Sequence, residues 1–241
     1  RNLGPYPLLD VTIDDNQVAT VELRNGEHNH FDMQMLTGLA DAFEDLDEAS
    51  DCRVIVLAAG GSAFCAGADF QGGRQGAQPA GLRGSGGAGV DGHLYGQAVR
   101  LFANRKPIVG AIHGPAIGGG AGLPLVPALP IGCPERPVAP PFPPLWLPPP
   151  LAWVAGGAPA AIVPLLGTPP GFGLSLRLPR LIGTQAAYDL FYTGRRVKGE
   201  EALALGLLDR LVPQNQVRAG AREKALEIAA AAPLAVMSVR Q

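Results

Sequence analysis

Two glycine-bearing segments constrain this chain more than anything else in it: Phe64-Cys65-Ala66-Gly67-Ala68-Asp69-Phe70 and Gly114-Pro115-Ala116-Ile117-Gly118-Gly119-Gly120. Each follows a short, continuous apolar run, 54–58 and 107–112, of the kind that forms a strand buried on both faces. Each presents backbone N–H groups with little side chain in the way. Two such donors aimed at one point make an oxyanion hole, which holds the negative oxygen of an enolate or a tetrahedral intermediate. A helix opening at the triple glycine would add the positive end of its dipole. A lone Gly-Gly-Gly reads equally well as a tight strand-to-helix turn. The second segment in the same strand-then-turn context is what turns it into a site.

The rest of the pattern alternates strands and helices, as an α/β fold requires. Residues 18–23 (VATVEL) read as a strand. Asp32 is placed to cap a helix with Met35, Leu36, Leu39, Phe43 and Leu46 as its buried stripe. Residues 72–92 hold nine glycines in 21 positions and almost no apolar anchor, so they read as a loop, either a bland insert or a lid. Leu94, Val99 and Leu101 mark a helix resuming after it. Thr184 to Thr193 is amphipathic, 200–209 reads as a short helix closing at Gly206, and 217–232 is alanine-rich and helical until Pro233.

One stretch breaks the rhythm. From Pro124 to Pro170 there are 16 prolines in 47 residues, and only Glu135 and Arg136 are charged. An interior helical proline costs about 3 kcal/mol, so Pro124, Pro127 and Pro130 argue against regular structure there. A genuine Pro-rich insertion and a shifted reading frame both fit. The uncharged run 137–176 is too interrupted by proline to form the roughly 20-residue apolar helix a membrane span needs.

A net charge of −2 favours neither nucleic acid nor anionic lipid. Cys52, Cys65 and Cys133 are odd in number and lack metal-ligand spacing, so they are expected to be free buried thiols of a reducing, cytoplasmic setting. The first twenty residues carry no apolar run after a basic start, and no signal peptide is expected. His28-Asn29-His30 alternates histidines, but no third ligand has suitable spacing and no metal is expected. No Rossmann or P-loop glycine fingerprint occurs, so neither NAD nor ATP is indicated.

The two glycine segments, in this order and at this separation, resemble the enoyl-CoA hydratase/isomerase (crotonase) superfamily, over residues 18–120 and again over 171–239. The resemblance implies an α/β spiral of repeated strand–strand–helix units with a C-terminal helical region that assembles trimers or hexamers. It places the boundary at 1–183 for the core, with 124–170 anomalous, and 184–241 for the helices. It implies an acyl-CoA thioester as substrate, with coenzyme A entering as part of that substrate and no separate cofactor. Carried over, the oxyanion donors are the N–H groups of Ala68 and Gly119. Asn29, Phe31, Cys65, Ala66 and Gly118 become candidate contacts to the thioester and its adenine.

The family's hydratases add two glutamates, because hydration needs a general acid and a general base around one water. Their positions here are Gly122 and Val163, and neither side chain can move a proton. Asp69 reads as a turn residue and Glu135 as an exposed turn acid. His113, at a strand end, is either a hydrogen-bonded structural imidazole or a proton shuttle, and His93 borders the glycine-rich loop. Three functions therefore stay open: an acyl-CoA enzyme that stabilises a thioester enolate, a β-diketone C–C hydrolase using histidine, or a non-catalytic CoA-thioester-binding subunit.

Overall fold

The computed structural model describes residues 1–67, 94–134, 159–160 and 172–239. The expectations for the 72–92 loop, Ala68, Asp69, His93, Glu135 and Val163 fall outside those residues.

Chain direction is set first by a hairpin that the sequence reading missed. Strand β1 (Asn2–Leu3) pairs with β2 (Leu9–Ile13), and β2 pairs antiparallel with β3 (Val18–Leu23), Val11 opposite Val21. The β2 residues alternate buried and exposed, the pattern of a strand with one wet face. The Asp14 carboxylate closes the turn by accepting from the N–H groups of Asn16 and Val18, at 2.9 and 3.1 Å.

From β3 onward the large sheet is parallel. β4 (Val54–Ala59), β5 (Ile108–Ile112), β7 (Leu129–Gly132) and β9 (Arg210–Leu211) follow in that order across it. All six residues of β4 are buried, as its unbroken apolar run predicts. A second, smaller ladder pairs β6 (Ala116–Ile117) with β8 (Pro159–Ala160). Pro130 sits inside β7 even though it has no N–H to give. Ala128, two residues earlier, donates to Ile108 O at 3.0 Å, and the Pro130 carbonyl accepts from Asp209 N–H at 2.8 Å. The prolines thus do not abolish the strand expected after the triple glycine.

The period-2 alternation of β3 and β4 decides what covers each face. Ala19, Val21, Leu23, Ile55 and Leu57 join one core with helix α1 (Met33–Glu48), whose buried Met35, Leu36, Leu39, Phe43 and Leu46 form the predicted stripe. The Asp32 carboxylate caps α1 by accepting from Met35 N–H at 2.8 Å. At its other end, the buried Lys106 ammonium donates to the carbonyls of Leu46 and Ala49, groups that a helix C-terminus leaves unpaired. Helix α2 (Leu94–Phe102) packs on α1.

Val18, Val54, Val56 and Val109 form the opposite core under helix α6 (Val217–Ala229), which presents Val217, Ala221 and Ala225 to them. Helices α3 (Leu174–Ile182), α4 (Thr184–Thr193) and α5 (Gly199–Leu205) add Leu174, Leu178, Ala187, Leu190 and Ala202 to the first core. Ahead of the amphipathic helix expected from Thr184, the chain already forms α3, which contains Pro179 and ends at Ile182. Gly206, at φ +81°, closes α5 as expected. Pro233 does interrupt the alanine-rich run and begins α7 (Pro233–Val239), in which no residue is buried. No helix among the described residues is long and apolar enough to cross a membrane.

A buried charge ties α6 to the sheet. Glu22 on β3 is 7% exposed and accepts from Arg218 of α6 and, at 2.9 Å, from Arg24. Burial pushes its carboxyl up, but the two guanidinium groups outweigh this and hold it below the usual glutamate range. Arg218 also donates to Ala59 O at 2.9 Å. Arg218→Ala is therefore expected to cost about 1–3 kcal/mol in urea unfolding, because it takes one of two cationic partners from a buried carboxylate and removes the donor to Ala59 O. Arg222→Ala, which breaks an exposed pair with Asp14, should cost under about 1 kcal/mol. Equal losses from the two variants would contradict this account.

Candidate active site

The two glycine segments, remote in sequence, meet along a backbone seam. Cys65 and Ala116 form a parallel bridge. The N–H groups of Phe64 and Cys65 both donate to Pro115 O, at 3.0 and 3.1 Å, and Ile117 N–H returns a bond to Cys65 O at 3.0 Å. On its other side the first segment is held by the 27–31 loop. Ala66 N–H donates to His28 O and Phe31 N–H to Gly67 O, both at 2.9 Å.

The glycines are there because backbone meets backbone. A Cβ on Gly120 would lie 2.5 Å from Cys65 O and 2.8 Å from Gly67 N, and one on Gly114 would lie 2.7 Å from Ser62 O. Gly67 needs the absence of a side chain twice over, since its φ is +96° and a Cβ would sit 2.9 Å from Ile117 O. Gly118 and Gly119 open a 3-10 helix, Gly118–Leu125, whose N-cap Ile117 supplies no side-chain hydrogen bond. A helix start leaves its first N–H groups without intrahelical partners, and the Ile117 side chain has no oxygen to cap them. The tighter 3-10 winding replaces the ordinary helix expected from the sequence, with Pro124 inside its last turn.

The residues expected to touch the thioester divide by what their side chains do. Asn29, at φ +48° and fully buried, donates from Nδ2 to Gly60 O and Ala63 O at 2.7 and 2.9 Å, and its Oδ1 accepts from Asn25 N–H at 2.9 Å. The Phe31 ring is buried, 5.5 Å from that of Phe172. The Cys65 thiol is buried, and desolvation pushes it up to about 12, so it is no nucleophile near neutral pH. These three side chains hold the loop together and offer no surface to a ligand. Ala66 is partly exposed, which leaves Ala66 and the backbone of this segment as the accessible part.

His113 does not join the seam. Its Nε2 lies 3.1 Å from Gly61 O, and the charges that act on it are the Arg218–Glu22 pair on the α6 side of the sheet. Its main-chain carbonyl accepts from Gln214 Nε2 at 3.0 Å. Burial is the main cause that keeps the imidazole below its usual pKa, so at neutral pH it is an uncharged donor to Gly61 O. His28 and His30 meet edge-on with ring centres 6.2 Å apart, and no metal-binding group of three occurs among the described residues.

Sequence reasoning missed Phe172. A Cβ on Gly122 would fall 2.4 Å from Phe172 Cδ1 and 2.6 Å from Phe172 O, so an aromatic ring fills the space at the position where the resemblance implies a glutamate in hydratases. Phe172 is 1% exposed and holds φ at +53°, a strained value for a bulky residue, just before Gly173 at +74°. Its ring also packs 6.3 Å from Phe102. The only sequence signal was an aromatic residue between Gly171 and Gly173, and nothing in that spacing pairs it with Gly122. Beyond Phe172 a cavity of about 960 Å³ opens among α2, the end of the 3-10 helix, α3 and α5, lined by Ala98, Phe102, Leu125, Leu176 and Arg177.

Two measurements follow. Gly122→Ala should cost about 1–3 kcal/mol of stability, because the new methyl meets the Phe172 backbone as well as its ring. A neutral or stabilising result in denaturant titration would show that Phe172 yields freely. For His113, the lowered folded pKa means that the unfolded chain binds the extra proton first. Stability should be full above about pH 6.5 and decline as pH falls from there through the lower folded value. His113→Gln should flatten that decline between pH 7.5 and 5.5, and an unchanged slope would refute the assignment.

Comparison with known proteins converges on one relationship. The enoyl-CoA hydratase/isomerase family matches residues 14–131 and 160–241, skipping only the middle of the proline-rich stretch. A carnitinyl-CoA dehydratase of Salmonella enteritidis is 28% identical over 236 residues, covering 98% of this chain and 76% of that protein. The peroxisomal fatty acid beta-oxidation multifunctional protein AIM1 of Arabidopsis thaliana is 31% identical over 222 residues, 90% of this chain but 27% of its own. An enoyl-CoA hydratase from Bacillus anthracis superposes with a TM-score of 0.77 at 26% identity, over 97% of this chain and 81% of the other. Pseudomonas aeruginosa DspI gives a TM-score of 0.79 at 22% identity, over 99% and 80%. With its mixed sheet, paired glycine turns and these matches, the chain belongs to the enoyl-CoA hydratase/isomerase family and has the α/β crotonase fold.

Proposed function

We propose that this protein is an acyl-CoA-processing enzyme that stabilises a thioester enolate between the backbone N–H groups of Ala68 and Gly119. The observation that supports this is the seam at Cys65 and Ala116, which joins the two glycine segments with backbone bonds alone. Main-chain donors held this way do not rotate, and removal of one such donor typically costs about 3 kcal/mol of transition-state stabilisation. Coenzyme A enters with the substrate. No acid or base comes from position 122, where Phe172 fills the space, and ordinary two-glutamate hydration is not the reaction proposed. His93 is the proton-transfer candidate. The C-terminal helices, with Leu234 81% and Val239 87% exposed, supply apolar surface for the self-association expected of them.

The same packing at Gly122 favours a second reading, a subunit that binds the thioester without converting it. The histidine-dependent β-diketone hydrolase gains nothing from His113, which is engaged at Gly61. Deuterium incorporation at C2 of butyryl-CoA in D2O separates these possibilities, because it reports enolate formation without any later step. We expect exchange that falls about 10²–10³-fold in Gly119→Pro, which lacks the donor, and is lost in His93→Gln. Butyryl-CoA binding without exchange would favour the binding subunit. Cleavage of a free β-diketone with no thioester binding would overturn both.

A further inference from the structure

The ring of Phe172 packs on the 3-10 helix that begins at Gly118 and forms part of the wall of the cavity at that helix's far end. In a 3-10 helix residues three apart lie on the same face, separated by about 6 Å along the axis. Gly119, whose N–H is the proposed oxyanion donor, and Gly122 are such a pair within Gly118–Leu125. Phe172 packs directly on Gly122. One step further along the same helix, Leu125 lines the cavity of about 960 Å³, and Phe172 is part of that cavity's wall too. A group held at Gly119 therefore meets the ring within one turn, and the apolar space lies behind it.

We propose that Phe172 sets the length limit of the acyl group, confining the site to short chains by walling the thioester position off from the cavity. The proposal rests on the acyl-thioester reading above. The ring is held in place from both sides: Phe31, whose N–H bonds to Gly67 O, lies 5.5 Å away and Phe102 lies 6.3 Å away. Its backbone is held as well, since Gly173 has no room for a side chain against the Phe102 ring, at 2.7 Å. The cavity behind is suited to hydrocarbon, with Ala98, Phe102 and Leu125 on its walls, and Arg177 sits with its guanidinium 5.0 Å from the Phe102 ring centre. A chain of roughly four carbons spans the turn from Gly119 to the ring, and a longer one must displace it.

The test is equilibrium binding of saturated butyryl-, hexanoyl-, octanoyl- and decanoyl-CoA, none of which needs to react. Wild-type protein should bind butyryl-CoA and gain nothing, or lose affinity, as the chain lengthens. In Phe172→Ala, affinity measured against that variant's own butyryl-CoA binding should tighten about fourfold for each added methylene that enters the opened space. Octanoyl-CoA should then bind more than about tenfold tighter than to wild type. Loss of a buried ring is destabilising, so Phe172→Leu and Phe172→Gly accompany it, the glycine being suited to the left-handed backbone at this position. Wild-type protein that already binds octanoyl-CoA tenfold better than butyryl-CoA overturns the proposal without any variant. A folded variant with intact butyryl-CoA binding and an unchanged length series also overturns it, while the thioester reading survives. Failure of wild-type protein to bind any acyl-CoA overturns that reading, and the length limit with it.

Discussion

A seam made of main chain governs this structure: two turns, 51 residues apart at Cys65 and Ala116, bonded to one another through their peptide groups. It forms only if Gly67, Gly114 and Gly120 lack side chains, because each would place a Cβ under 3 Å from backbone of the facing segment. Buried peptide groups that lost these bonds would have no water to turn to, so the seam is all or nothing. The large sheet delivers the segments to it at the ends of β4 and β5. The 27–31 loop, stapled by the three hydrogen bonds of Asn29, closes it from outside.

The seam joins the two turns proposed to hold negative charge, and among the described residues position 122 offers no group that moves a proton. The cause is steric as well as chemical. Gly122 is a glycine because Phe172 lies against it, so the missing carboxylate and the buried ring are two sides of one packing arrangement. The same ring forms part of the wall of the apolar cavity. On the proposed reading, chemistry and substrate size are coupled through this one contact, since a side chain at 122 would displace Phe172.

Much of the scaffold was legible from the chain. The strand at 18–23, the Asp32 cap with its stripe, and the buried runs at 54–58 and 107–112 all stand where local pattern puts them. Each is specified by residues within a turn or two of one another. The elements that were missed or misjudged depend on distant partners. Strand β7 forms through Pro130 because β5 and β9 flank it, and α3 runs through Pro179 because Leu174 and Leu178 are buried in the core. The β1–β2 hairpin is short, and pairing with β3 is what makes it a strand.

The site divides in the same way. The sequence alone determined that two glycine turns follow two buried strands, and that no acid stands at 122, because these are matters of residue identity and local order. Tertiary structure decided which side chains are spent inside. It committed Asn29 to three backbone partners, sank Phe31 and Cys65 into the core, and turned His113 to Gly61. It also brought Phe172, fifty residues along the chain, onto Gly122. No local pattern encodes such a contact, since it is fixed by how separate layers of the fold fill one another's gaps.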